Sequence, residues 1–387
     1  MKKILKNIDK PLLIISLVLF IIGLIMIFSS SNVTAFMKYD ASPYRYFYKQ
    51  VIFLIISFVG SLFLIQFHSK SYHIIANLAV YLIGASLALL LVYGSVRNQA
   101  ISWIDLGFFS IQPSEFAKII IIVWLSCYYD RHKERLNQYV TVLYPILIAA
   151  VIAGFIFAQP DLGTTIIYTL IVAFIFFMSP ISKEIRNKVL MIIVGGVVIV
   201  ALVLVGGGSS LLTAGQLERF DFSEPCSTQK FYGNGNQVCN GYIAINHGKL
   251  TGVGLGQSTQ KYLYLPEAHT DFIFAIIMEE LGFLGAFMIF VLYYLLIGRI
   301  IKIGRDSYNT RGFLICMGVA VYIVLHIFVN LGGIFGMIPM TGVPLPFMSY
   351  GGSFLMCLVF ALTIVQRINI ENRSYKEKVL KKGEKNK

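Results

Sequence analysis

The hydrophobic positions of this chain run in unbroken blocks, with neither the alternation of a half-buried strand nor the narrow stripe of a surface helix. Charge-free apolar runs cover Leu12–Ser29, Val51–Phe67, Ile74–Tyr93, Leu143–Ala158, Leu162–Ser179, Val189–Gly206, Gly312–Gly336 and Leu345–Val365. A helix of about 20 residues spans the roughly 30 Å of bilayer hydrocarbon, so each run reads as a membrane helix. Two more reach full length only with ionisable residues inside: Ile111–Tyr129 with Glu115 and Lys118, and Asp271–Gly298 with Glu279 and Glu280. The pattern predicts an all-α integral membrane protein of about ten transmembrane helices, a single polytopic domain over residues 1–387.

The first run follows Lys2, Lys3 and Lys6, as a signal peptide would. It is too long for that, and no small-x-small cleavage site follows, so it is expected to be a retained helix. Between the seventh and eighth helices lies a polar, Gly-rich stretch, 207–270, expected to be a long extracellular loop. Its Cys226 and Cys239 are the only cysteines outside the apolar runs; a disulfide is allowed on that side but is not fixed by sequence. The basic segment 367–387 is expected to be a cytoplasmic tail, its last part (KEKVLKKGEKNK) solvated and mobile. No internal repeat of the transporter kind is visible.

Composition supports this picture: 57 % of residues are hydrophobic and 13 % charged, against about 25 % charged in soluble chains. The formal charge of +13 does not point to nucleic acid, because the cations are segregated. The N-terminal segment, alternate turns and the last segment together hold 23 of the 32 Lys and Arg. That face is expected to be cytoplasmic, with both termini on it.

Charges at membrane depth are costly and mark a functional interior. Glu115 and Lys118, three apart after Pro113 and Ser114, share a helix face near the outer mouth, as an internal ion pair or as a wall of a substrate cavity. Asp161, in a short outer turn, can cap the following helix or serve a site. Capping by Thr270 would put Asp271 in a first helical turn but leaves Glu267 and His269 beside it unexplained. A carboxylate at the rim of a cavity suits a general base. Glu279 lies roughly 80° round the helix from Asp271 and about 12 Å deeper, and with Glu280 is expected to tie helices together. Residues 336–353 hold three prolines and several glycines, a pattern expected of a re-entrant or cavity-lining loop. There is no phosphate-binding Gly-x-x-x-x-Gly-Lys-Ser/Thr loop, no dinucleotide fingerprint, no Gly-x-Ser-x-Gly elbow and no metal-ligand spacing.

Four motifs in order carry a resemblance: Ser102–Gly107 running into Gln112–Lys118, then Gln159–Thr165, then Tyr264–Phe272 with Glu279–Gly282, and last Pro344–Ser353. On these the whole chain is identified as a member of the SEDS family, which contains RodA, FtsW and SpoVE. Gly252–Lys261 followed by Tyr264–His269 is similar to the division-type pattern. Phe354, where the family often has a second serine, and the segment Glu224–Asn240 depart from it.

The resemblance implies a peptidoglycan glycosyltransferase that polymerises lipid II with inversion at the outer face of the cytoplasmic membrane, releasing undecaprenyl pyrophosphate. It assigns the essential aspartate to Asp271. The candidate substrate-site residues beside it are Glu115, Lys118, Asp161, Glu267, His269, Lys261, Arg219, Pro346, Ser349, Gly351 and Gly352. Lys118, Arg219, Lys261 or a divalent cation (Mg or Mn) would meet the leaving pyrophosphate. The implied partners are the nascent glycan, a class B penicillin-binding protein and other membrane proteins of the division machinery. A lipid II flippase and a non-catalytic scaffold are the rival readings.

Overall fold

The structure, a computed structural model, describes residues 6–97, 100–105, 107, 110–206, 224–227, 235–266 and 268–385. Each of the ten predicted stretches is helical: α1 (Lys10–Tyr39), α2 (Arg45–Leu64), α3 (Tyr72–Tyr93), α4 (Pro113–Arg131), α5 (Tyr139–Ala158), α6 (Leu162–Met178), α7 (Lys183–Gly206), α9 (Ile273–Arg305), α10 (Thr310–Ile334) and α11 (Gly352–Lys385). Among the described residues, seven helices are long and apolar enough to cross a membrane: α1, α2, α3, α5, α9, α10 and α11. Two elements were not anticipated. Residues 207–270 contain the helix α8 (Asn236–Gly248), and the α3–α4 connection carries three antiparallel strands, β1 (Ser95–Arg97), β2 (Ala100–Asp105) and β3 (Ser110–Ile111).

The core lies around α4, α10 and α11. In the most apolar part of each helix, 83 % of α11 and 61 % of α10 is buried inside the protein, against 11 % for α2 and 22 % for α3. The latter two therefore face lipid. Inside a bilayer apolar side chains gain little by leaving lipid, so close packing and interhelical hydrogen bonds hold such a bundle. The pairs α3–α4, α9–α10, α8–α9, α11–α2, α10–α4 and α9–α1 make the main interfaces.

The expected helix limits need three corrections. α1 runs ten residues past Ser29, to Tyr39. α11 starts at Gly352, so Leu345–Gly351 belongs to the preceding loop, where the prolines cannot donate to a helical ladder. The expected tail begins inside a helix: α11 continues to Lys385, with Arg367, Asn369 and Asn372 buried and Lys378–Lys381 exposed. The amides of Asn369 and Asn372 donate to the main-chain oxygens of Asn7 and Ile303. Gln366 exchanges two hydrogen bonds with the backbone of Asp9, whose carboxylate is held by Arg299 and Arg373. These polar contacts pull the first turns of the charged stretch onto the bundle.

A backbone clasp breaks α9. Gly282 has φ 68° and ψ −173° within the helix. The freed groups there are paired with the strap after α8: Val253 and Gly254 donate to the carbonyls of Glu279 and Glu280, and Phe283 and Leu284 donate to those of Lys249 and Leu250. α8 reaches this position because Gly241, Ala244 and Gly248 form its buried face against α9. A Cys226–Cys239 disulfide ties the described residues 224–227 to α8.

Candidate active site

Asp271 stands just ahead of α9, in the turn that joins it to the long loop. The expected cap does not form: Phe272 occupies the N-cap position without a side-chain cap, and the Thr270 hydroxyl donates instead to Asp271 Oδ1, at 3.1 Å. The backbone carbonyl of Asp271 accepts from Asn330 Nδ2 at 2.7 Å. The same amide donates to the carbonyl of Val343 at 2.8 Å, so Asn330 on α10 stitches the turn to the α10–α11 loop.

These segments line a small, open cleft. Phe272, Val329, Ile334, Met340 and Val343 form apolar walls, and Asp271, Asn330 and Thr341 bring the polar groups. A concave apolar site with a few convergent polar groups is the usual form of a small-molecule pocket. Asp271 is half-buried, so its carboxylate keeps access to a proton donor while its turn is fixed.

The other motifs converge behind this cleft. Asp161 is the N-cap of α6, accepting from Thr164 N at 3.1 Å, and its second oxygen accepts from Gln112 Nε2 at 3.0 Å. Gln112 N donates to Ser353 Oγ, which donates to the carbonyl of Ser110. Gly163, the second residue of α6, packs against Thr341 and Val343 of the cleft wall. Residues from the first, second and fourth motifs thus brace one another and the loop that faces Asp271.

Glu115 and Lys118 form a buried ion pair of 2.7 Å, and Lys118 Nζ also lies 2.9 Å from His326 Nε2. His326 Nδ1 is 2.7 Å from the Tyr322 carbonyl, so Nδ1 carries the proton and Nε2 accepts from the lysine. This is the internal-pair reading of Glu115 and Lys118, completed by a histidine.

Lys261 is buried against Glu280 at 3.0 Å and donates to the carbonyl of Gly256 at 2.6 Å. Ser29 also donates to Glu280. Glu279 accepts from Thr259 N and Oγ1 and from Ser258, with His247 3.5 Å away. Both glutamates therefore anchor the Gly-rich strap to α9, and Lys261 is part of that anchor.

His269 packs against Tyr46 in a tilted arrangement with centroids 4.4 Å apart, and its carbonyl accepts from Tyr350 N. In the 336–353 segment, residues 340–343 line the cleft while the expected site residues hold the loop in place. The Pro346 carbonyl accepts from Tyr293, Ser349 Oγ accepts from Leu345 N, Gly351 N donates to Gln50, and Gly352 lies against Phe53. Arg219 and Glu267 lie outside the described residues. Among the described residues no group of three His, Cys, Asp or Glu gathers as a metal cage.

Sequence reasoning passed over Asn330 and His326, and reached Thr341 and Gly342 only as members of the cavity-lining segment 336–353. The first two carried a signal: His326 and Asn330 are polar residues four apart in an otherwise apolar run, and so share one helix face.

The family described as cell cycle protein, FtsW/RodA/SpoVE, matches residues 10–374. The chain is 38 % identical to the probable peptidoglycan glycosyltransferase FtsW of Bacillus subtilis, covering 100 % of this chain and 98 % of the relative. It is 34 % identical to stage V sporulation protein E of the same organism, covering 94 % and 98 %. Among solved structures, one chain of a peptidoglycan synthase complex superposes with a TM-score of 0.70 at 22 % identity, covering 94 % of this chain and 97 % of that one. The Rod shape determining protein RodA of Thermus thermophilus gives 0.65, also at 22 % identity, covering 94 % and 96 %. At such identities the superpositions speak for the fold.

Proposed function

This chain belongs to the FtsW, RodA and SpoVE family and is a peptidoglycan glycosyltransferase; we propose that it polymerises lipid II into β-1,4 glycan strands at the outer face of the cytoplasmic membrane, with Asp271 as general base. The observation that carries this reading is the half-buried Asp271 carboxylate in a cleft of mostly apolar walls, its turn fixed by Asn330 and its oxygen by Thr270. The acceptor sugar hydroxyl gives its proton to Asp271 as its oxygen attacks the anomeric carbon of the donor. The bond from that carbon to the pyrophosphate oxygen breaks, and undecaprenyl pyrophosphate leaves with the electron pair. Attack from the opposite face inverts an α-linked donor to a β-linked product.

Charge that develops on the leaving group needs a cation. Lys118 and Lys261 are each committed to a buried carboxylate, which favours Arg219 or a divalent ion held by the substrate phosphates themselves. Hard cations often keep few protein ligands when phosphates supply the rest. The similarity to the FtsW relatives supports work at the division septum. The similarity in fold to a chain of a complex described as coordinating polymerisation and crosslinking supports a transpeptidase partner of the class B penicillin-binding type, with other division proteins around it.

The test is glycan synthesis from lipid II by purified protein, with and without its transpeptidase and divalent ions, comparing wild type with Asp271→Asn. Polymer from wild type and none from a folded Asp271→Asn is the expected result. No polymer from wild type under any of these conditions overturns the reading, and lipid II flipping would then be measured.

A further inference from the structure

Asn330 does more than hold the turn. Its amide nitrogen donates to two main-chain carbonyls, of Asp271 and Val343. A carbonyl accepts and cannot donate, so this fixes which end of the amide is which. The remaining atom, Oδ1, is buried and has no hydrogen-bond partner among the described residues. The residue is 4 % exposed, yet it lines the cleft alongside Asp271. A buried acceptor left unsatisfied is costly, and native proteins satisfy the great majority of such atoms. An orphaned acceptor on a residue of the cleft wall calls for a donor that the described residues do not supply.

We propose that Asn330 Oδ1 is a substrate-binding group, accepting a hydrogen bond from the acceptor sugar, either from a hydroxyl other than the attacking one or from its acetamido N–H. The inference rests on the glycosyltransferase reading above and deepens it. The link to the Asp271 carbonyl places Asn330 on the side of the acceptor, whose proton Asp271 takes. The same amide then fixes both the base and the sugar presented to it. A site built around a buried polar group discriminates strongly against analogues that lack its partner, because the group is left unpaired.

The experiment measures formation of the first glycosidic bond, with lipid II as donor and acceptor analogues whose lipid linkage cannot be cleaved. Each analogue lacks one hydroxyl, or carries hydrogen in place of the acetamido group. Wild type is compared with Asn330→Ala and with Asn330→Ser, which keeps a donor for one of the two carbonyls. The expected result is one analogue whose KM in wild type rises about tenfold or more, with kcat changed far less. In the variants the parent acceptor already shows the raised KM, and that analogue is no worse than the parent. Equal losses for every analogue in wild type and variant overturn the inference and leave Asn330 a purely structural residue; so does a wild type indifferent to every deletion. A wild type that forms no bond with the parent acceptor overturns the glycosyltransferase reading itself, and this inference with it.

Discussion

The Asp271 carboxylate lies over Gly342: Oδ2 is 3.8 Å from the point that a Cβ on Gly342 would occupy. Gly342 has φ +67°, a left-handed conformation that costs an L-residue roughly 1–2 kcal/mol. Gly342→Ala is therefore expected to lower stability by about that amount and to put a methyl group against this carboxylate. The measurement is thermal unfolding alongside polymerisation rate. A fall of about tenfold in rate, exceeding what the loss of folded protein explains, would place Gly342 at the reacting centre. Unchanged specific activity would remove it.

Lys261 is expected to act on folding. Removing one partner of a buried ion pair costs about 3–5 kcal/mol, because the other charge is left without compensation. Lys261→Met should thus sharply reduce folded protein, and the double variant Lys261→Met with Glu280→Gln should recover much of it. The yield and unfolding temperature of the three proteins check this. A normally folded Lys261→Met that is catalytically dead would instead make Lys261 a cation for the leaving group.

The α9 clasp gives a second stability test. A Cβ on Gly282 would stand 2.2 Å from the nitrogen of Gly252 and 2.6 Å from the oxygen of Leu250. All the atoms it meets are backbone, so neither side can yield without opening the clasp. Gly282→Ala is expected to expose the Gly-rich strap to limited proteolysis before the helices unfold. A cleavage pattern identical to that of wild type would contradict this.

Asp9 predicts a pH dependence outside the membrane spans. Burial pushes its pKa up, but the hydrogen bonds from Arg299 and the Leu12 N–H, with the charges of Arg299 and Arg373, outweigh that and hold it below the ordinary value. A depressed native pKa contributes stability above the unfolded value, about 3.9, and loses it as pH falls from there through the native pKa. Unfolding temperature should therefore drop more steeply below about pH 4 in wild type than in Asp9→Asn, which begins lower. Parallel curves for the two proteins would rule Asp9 out as the source.

The Cys226–Cys239 bridge closes a loop with a sequence separation of 13. In the chain-entropy view a loop of this size contributes about 3 kcal/mol. Cys226→Ser is expected to lower the unfolding temperature in oxidising buffer and to leave it equal to that of reduced wild type. A variant as stable as oxidised wild type would show that α8 is held by α9 alone.

What the sequence determined by itself follows from local physics. Apolar runs of membrane length give the helices, because a single segment in lipid satisfies its own backbone groups only as a helix, and the runs lack the alternation of a barrel strand. The short Pro160–Asp161 turn gives the α6 cap, since a side chain three residues from an open N–H finds it without help from elsewhere. Asp271 stood out as a candidate base through its own polar neighbours. The tertiary structure alone decided the rest. Glu280 and Lys261 could not be paired from their positions on separate segments, and the charged start of 367–387 could not be seen to stay helical until Asn7, Asp9 and Ile303 were brought against it. The segment 336–353 was legible as a cavity-lining loop, but not which part of it meets Asp271: Met340–Val343 does, while Pro346, Ser349, Gly351 and Gly352 hold the loop, because that choice depends on where Gly163 and Asn330 dock it. Periodicity and capping act within a few residues and leave their mark in sequence. Pairings between distant segments depend on packing that becomes defined only when the whole bundle closes.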